Sequence, residues 1–125
     1  MLFRSLKEFR AELDSQGAAD GGKHYDLTIA APVGPSIVRN VDVAGIAAPL
    51  DWMNLMSYDF HGSWDPITGH NAPMAVGAKD SAAGFSITDA VNAYIGRGMP
   101  ARKIVFGVPF YGRGFTTSSA ADGGL

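Results

Sequence analysis

Trp52-Met53-Asn54-Leu55-Met56-Ser57-Tyr58 is the stretch on which the fold turns. Its nearly continuous apolar character predicts a strand buried on both faces, as in a parallel sheet. Upstream, Tyr25-Asp26-Leu27-Thr28-Ile29-Ala30-Ala31 reads as another strand, stopped by Pro32. Residues 2–14 read as an amphipathic helix: Leu2, Phe3, Leu6, Phe9 and Leu13 fall at helical spacing, with Arg4, Lys7, Glu8, Arg10 and Glu12 between them. The Gly-rich segment from Gly17 to Gly22 is expected to break that helix. Pro35 and Ser36 open an irregular stretch. Asp42 then caps a short helix through Val43, Ile46 and Leu50, which Pro49 ends early. Downstream, residues 60–85 form a long loop rich in Gly, Pro, Asn and His. Loops longer than about 12–15 residues are uncommon and often functional. Ser86 caps a helix with Ile87, Val91, Tyr94 and Ile95 on one face, ending near Gly98 and Pro100. Lys103-Ile104-Val105-Phe106-Gly107-Val108 reads as a third strand.

Strands alternating with helices argue for βαβ units and an α/β fold with a parallel sheet. Three strands cannot close a barrel, and an open piece exposes apolar edges. A complete (β/α)8 barrel takes about 250 residues, twice the length of this chain. The alternative is a small self-sufficient α/β domain. The chain has 125 residues, 46% of them apolar and 18% charged, a globular composition able to bury a core. Ten basic and twelve acidic residues are scattered, with a net charge of −2. No basic stripe exists to hold phosphates, so neither nucleic acid nor a membrane surface is an expected partner. Cysteine is absent, so neither a disulfide framework nor a thiolate metal site can form. His61 and His70 have no third ligand near them in the sequence, so no metal and no cofactor is expected. The N-terminus has no apolar stretch of the kind that marks a secretion signal. No segment approaches the ~18 apolar residues of a membrane span.

The polar residues suited to chemistry gather immediately after strands. Tyr58 and Asp59 end the second, and Tyr111 and Arg113 follow the third. In a parallel barrel both sets sit at the C-terminal face, where active sites lie. Asp59 is therefore expected to share a pocket mouth with Arg113. An ordinary ion pair at a strand end is the competing reading, since such pairs are common.

Met56-Ser57-Tyr58-Asp59-Phe60-His61-Gly62-Ser63-Trp64 resembles the sixth-strand signature of family 18 glycoside hydrolases, Met-x-Tyr-Asp followed by a loop carrying Gly and Trp. Thr68-Gly69-His70-Asn71-Ala72-Pro73 resembles the adjoining loop of that family. The run Phe106-Gly107-Val108-Pro109-Phe110-Tyr111-Gly112-Arg113-Gly114-Phe115 resembles the seventh strand and the approach to an insertion domain that many members carry. Leu27 to Pro35 is similar to the fifth strand. The resemblance implies an internal piece of a (β/α)8 barrel: residues 1–115 as part of the catalytic barrel, and residues 116–125 as the start of the insertion-domain connection. The family's Asp-x-x-Asp-x-Asp-x-Glu run belongs to the fourth strand, and no such run occurs here. Glu8 and Glu12 lie on the first helix and do not match it.

The resemblance implies chitin hydrolysis by a retaining, substrate-assisted route, outside the usual two-carboxylate scheme. In that route the substrate's own N-acetyl carbonyl oxygen attacks the anomeric carbon. Tyr58 would hold the acetamido group in its attacking pose, a positioning task. Asp59 would accept hydrogen bonds from the sugar and support developing charge. Met56 would line the pocket floor, although on pattern alone it reads as core filler. Tyr111 and Arg113 would contact the sugar or hold Asp59, and Trp64 would offer its face to a pyranose ring. Trp52 reads as buried core. Asn71 and Asp65 read as loop-turn residues, with direct sugar contact as the other possibility. His61 and His70 read as loop packing or supporting hydrogen bonds. A lectin that keeps the groove but lacks the acid is the second functional reading. Under either, the partner is chitin or a chito-oligosaccharide, the complete protein is monomeric and extracellular, and the isolated chain is inactive and poorly folded.

Overall fold

The computed structural model describes residues 2–78, 84–119 and 121. Helix α1 spans Leu2–Ala19, strand β1 Thr28–Ala31, helix α2 Pro35–Val38, helix α3 Val43–Ala47 and strand β2 Trp52–Leu55. Helix α4 covers Ile87–Ile95, and a 3-10 turn at Ala101–Lys103 leads into strand β3, Ile104–Phe106. The three strands lie side by side in chain order, β1-β2-β3. Both pairings are parallel: Thr28 opposes Trp52 and Ala31 opposes Leu55 in the first, while Met53 opposes Ile104 and Leu55 opposes Phe106 in the second. The parallel α/β reading therefore holds.

The core lies on one face of this sheet. Ala31, Met53 and Leu55 pack with Leu6, Val38, Val43, Ile46, Leu50, Tyr94 and Met99, so residues from all four helices meet the strands there. The Tyr94 hydroxyl donates to the Pro32 carbonyl oxygen at 2.8 Å, which satisfies the one polar atom of a buried ring. The other face carries the row Ala30, Asn54 and Val105, in register and exposed. In this three-stranded sheet β2 is thus buried on one face and open on the other. Its alternation follows from the pleat, which sends successive side chains to opposite sides. Val105, Phe106, Val108 and Phe110 are exposed as well, the last fully.

Several expected boundaries moved. α1 continues through Gly17 to Ala19. Gly17 sits where the chain doubles back: its carbonyl accepts from the amides of Gly22 and Lys23, and a Cβ there would lie 2.0 Å from the Lys23 carbonyl oxygen. The turn is made further on, by Gly21 and Gly22 at φ of 82° and 85°. Phe9, expected on the apolar stripe of α1, is exposed. Pro35 and Ser36 begin helix α2 rather than an irregular stretch, with proline at a first-turn position where its missing N–H costs nothing. The strands are shorter than read, because the ladder starts only where β1 and β2 overlap. The two caps were read correctly. Asp42 accepts from the Gly45 amide, and Ser86 accepts from the Asp89 amide at 3.1 Å. Residues 79–83 of the long loop and residues 120 and 122–125 of the expected insertion-domain connection lie outside the described residues.

Asp51, which the sequence reading passed over, fastens the edge of the sheet where β1 and β2 begin. Its carboxylate accepts from the Leu27 amide at 2.7 Å, from Arg10 of α1 at 3.1 Å and sits 2.7 Å from His24 Nε2. Burial pushes this carboxyl up, but the Leu27 amide, His24 and Arg10 outweigh it and hold it below the usual carboxylate value.

Candidate active site at the carboxyl ends of the strands

At the opposite edge of the sheet, the segments leaving β2 and β3 converge. Asp59 is the residue around which they are organised. Among the described residues it is the non-glycine residue with positive φ, at 60°. That left-handed backbone is rarely adopted by residues with a side chain, although aspartate is among the more tolerant. It turns the chain sharply after Tyr58 and aims the carboxylate across at the segment following β3. There the Tyr111 hydroxyl donates to Oδ1 at 2.8 Å. Arg113 donates to the same oxygen from Nε, at 3.2 Å, and from a terminal guanidinium nitrogen.

The electrostatics follow from this geometry. The Arg113 guanidinium, then the Tyr111 hydroxyl, hold the Asp59 carboxyl below its ordinary value. Burial and the adjoining Asp59 carboxylate push the Tyr111 hydroxyl up, and Asp59 raises Arg113 further. Asp59 therefore stays anionic, and Tyr111 stays a proton donor across the neutral range. The expected meeting of Asp59 with Arg113 is realised, with Tyr111 as a third member.

Aromatic rings frame the trio. Tyr58 is half-buried, and its ring meets that of Tyr111 edge-on, with centroids 6.3 Å apart and planes at 75°. Gly107 makes room for it: a Cβ at that position would lie 2.9 Å from a Tyr58 ring carbon and 2.8 Å from the Leu55 carbonyl oxygen. Between these residues, the fully buried Ser57 donates its hydroxyl to the Gly107 carbonyl oxygen at 2.9 Å, joining the ends of β2 and β3. Trp64 is exposed in the loop, with the Arg113 guanidinium 4.9 Å from the centre of its ring. Met56 is 38% exposed on the uncovered side of the sheet. Trp52, read as core, is only half-buried at the other edge of the sheet.

The loop supplies two further groups. His61 is buried at 4% exposure, packed so closely on Gly69 that a Cβ there would lie 2.2 Å from its ring. Its Nδ1 lies 3.4 Å from an Asp65 carboxylate oxygen. His61 therefore packs the loop, while His70 is exposed. Asn71 was missed as a structural partner of the trio. Its Oδ1 accepts from the Asp59 amide at 3.0 Å, and its Nδ2 donates to the Tyr111 carbonyl oxygen at 3.3 Å. No feature of local sequence signals a link across such separations.

This constellation, a strained Tyr-Asp corner after one parallel strand bonded to Tyr and Arg after the next, lies within a match to a single family profile. The profile of glycosyl hydrolases family 18 covers residues 3–125. The chain belongs to glycosyl hydrolase family 18. Among the family's curated members, Chitinase A1 of Niallia circulans is 42% identical over 125 aligned positions, covering 95% of this chain and 18% of that protein. Chitinase ChiA74 from Bacillus thuringiensis superposes with a TM-score of 0.90 at 38% identity, over 98% of this chain and 20% of its own. Human YKL-39, described as a pseudo-chitinase with retained chitooligosaccharide binding properties, superposes with a TM-score of 0.88 at 34% identity, over 95% of this chain and 34% of its own. The chain thus spans about a fifth to a third of the length of these relatives. Its three parallel strands and their helices are part of the family 18 TIM barrel. Among the described residues, no helix is long and apolar enough to cross a membrane.

Proposed function

We propose that the chain is a segment of a longer, secreted family 18 enzyme that hydrolyses β-1,4 bonds between N-acetylglucosamine units. In that enzyme residues 1–115 contribute to the catalytic barrel, and residues 116–125 lead toward an insertion domain. The observation that carries the reading is the Tyr58–Asp59 corner bonded to Tyr111 and Arg113 at the strand ends. A carboxylate kept anionic and a tyrosine kept protonated, side by side with the exposed Trp64 ring against Arg113, suit a cationic sugar intermediate.

In the proposed reaction, a glutamic acid from a part of the enzyme outside this chain protonates the leaving glycosidic oxygen. The acetamido carbonyl oxygen of the substrate attacks the anomeric carbon from the other face, giving a cyclic oxazolinium ion. Tyr58 donates its hydroxyl to that carbonyl oxygen and fixes the attacking pose. Asp59 accepts from the bound sugar and supports the positive charge that develops. Water then attacks the anomeric carbon and opens the ring, its proton passing to the glutamate left as a carboxylate, and the configuration at the anomeric carbon is retained. Trp64, Met56, Tyr111 and Arg113 bind the sugar or hold Asp59. The isolated chain, lacking the acid, is inactive.

The test is steady-state hydrolysis of a chito-oligosaccharide by the complete enzyme and its Tyr58→Phe variant. Loss of the hydroxyl lowers kcat by about 100- to 1000-fold, the range for removing one donor at a reacting centre. Unchanged kcat in the variant defeats the assignment of Tyr58. One observation favours a second reading: the same barrel segment superposes closely on YKL-39, a pseudo-chitinase that binds chito-oligosaccharides. If the complete protein binds the oligosaccharide without cleaving it, it is a lectin using the same residues.

A further inference from the structure

We infer that Asn71 is a positioning residue, whose side chain sets the geometry of the Asp59–Tyr111 pair by bonding to the backbone of both. The inference rests on the functional reading above and deepens it. Asn71 stands between the two halves of the site. Its Oδ1 accepts the Asp59 amide proton at 3.0 Å, on the one described non-glycine residue with positive φ. Its Nδ2 donates to the carbonyl oxygen of Tyr111 at 3.3 Å, on the segment that brings the Tyr111 hydroxyl to Asp59. Its own carbonyl accepts from the Phe60 amide at 3.0 Å, so the asparagine is itself anchored to the corner it supports.

The chemistry of the side chain matters here. One bond needs an acceptor and the other a donor, and a primary amide offers both from a single planar group. The left-handed corner at Asp59 is costly, and the bond from Asn71 is the side-chain contact that rewards its amide for pointing away from the strand ladder. Without Asn71 the segment carrying Tyr111 and Arg113 loses the hydrogen bond from the loop to the Tyr111 carbonyl and keeps the contact of Arg113 with the Trp64 ring. Those two residues lower the Asp59 carboxyl only while they stay in reach.

Two variants of the complete enzyme test this. Asn71→Ala removes both bonds. Asn71→Asp keeps the acceptor but, when ionised, turns an oxygen toward the Tyr111 carbonyl; when protonated it regains a donor. The other titratable groups at this junction are Tyr58, Asp59, Tyr111, Arg113 and the neighbouring His70.

The Asp59 carboxyl is followed by 13C NMR, its signal assigned by its loss in Asp59→Asn, alongside kcat and KM against a chito-oligosaccharide. In Asn71→Ala, Asp59 titrates nearer its ordinary value and kcat falls about 10- to 100-fold, the scale of a small misplacement, while KM changes far less. Asn71→Asp approaches the parent enzyme in acid and falls away as pH rises through its own carboxyl titration. A structural role alone would lower stability in both variants and leave the Asp59 titration and the ratio of kcat to KM effects unmoved. The inference is overturned if Asp59 titrates in Asn71→Ala as in the parent, or if Asn71→Asp follows the parent at every pH. The NMR titration needs no turnover, so an enzyme that failed to cleave would sink the functional reading and leave this test intact.

Discussion

The hydroxyl of Tyr111 donates to the carboxylate of Asp59 at 2.8 Å, across 52 positions of chain. Two parallel strands bring these residues together because each lies in the segment leaving its strand, at the same edge of the sheet. The bond would not form if Asp59 continued the direction of β2. The left-handed backbone at φ 60° is what turns it.

The first consequence concerns pH. The Asp59 carboxyl is depressed first by Arg113, so whatever stability the pair provides is present above the ordinary carboxylate value of 3.8 and is lost as pH falls through the lower folded value. In Arg113→Ala the carboxyl moves up toward 3.8, and in Arg113→Lys it moves part of the way, because a lysine lacks the planar fork. A 13C titration of Asp59 in the complete enzyme checks this. An unmoved titration in Arg113→Ala would remove Arg113 as the cause.

Gly107 should not tolerate a side chain. A Cβ there meets the Leu55 carbonyl oxygen at 2.8 Å and the Tyr58 ring at 2.9 Å, both against packed backbone or a half-buried ring. Gly107→Ala is expected to destabilise by about 1–3 kcal/mol, the usual cost of overpacking, and to push Tyr58 out of place. Thermal unfolding together with oligosaccharide affinity reads both effects. A variant as stable and as tight-binding as the parent would contradict the close approach.

Ser57 makes the same junction from within. Its buried hydroxyl bonds to the Gly107 carbonyl at 2.9 Å, and Ser57→Ala leaves that carbonyl short of a partner. The expected loss is about 1–3 kcal/mol, read from denaturant midpoints at constant slope. At the far edge of the sheet, Asp51→Ala deprives the Leu27 amide, Arg10 and His24 of their common acceptor. It should cost stability on a similar scale and leave the site's affinity for oligosaccharide unchanged.

The isolated chain has a different vulnerability. Val105, Phe106, Val108 and Phe110 are exposed, and so is the apolar edge of β3. Expressed by itself it is expected to bind a hydrophobic dye and to unfold without a sharp transition. Cooperative thermal unfolding of the 125-residue product would contradict this.

The parallel sheet was legible because largely apolar runs such as Trp52 to Tyr58, between two aspartates, and Ile104 to Phe106, before Gly107, stand out from their flanks. The caps at Asp42 and Ser86 were legible for the same local reason. Helix α2 was not, since four residues starting at Pro35 carry too little periodicity to separate helix from turn. The passage of α1 through Gly17 depends on the approach of Lys23, which no local pattern reveals. In the site, Tyr58, Asp59, Tyr111 and Arg113 could be named from their places after strands. Asn71 could not be given its place, because its partners lie 12 and 40 positions away. Met56 was ambiguous because an apolar residue looks the same from either face of a sheet.

The anomer released first from a chito-oligosaccharide tests the central claim most directly. The complete enzyme is incubated with the oligomer, and the new reducing ends are read by 1H NMR before mutarotation. Release of the β-anomer is the predicted result, since neighbouring-group attack positioned by Tyr58 retains configuration. Release of the α-anomer, or no cleavage by a protein that still binds the sugar, would contradict it.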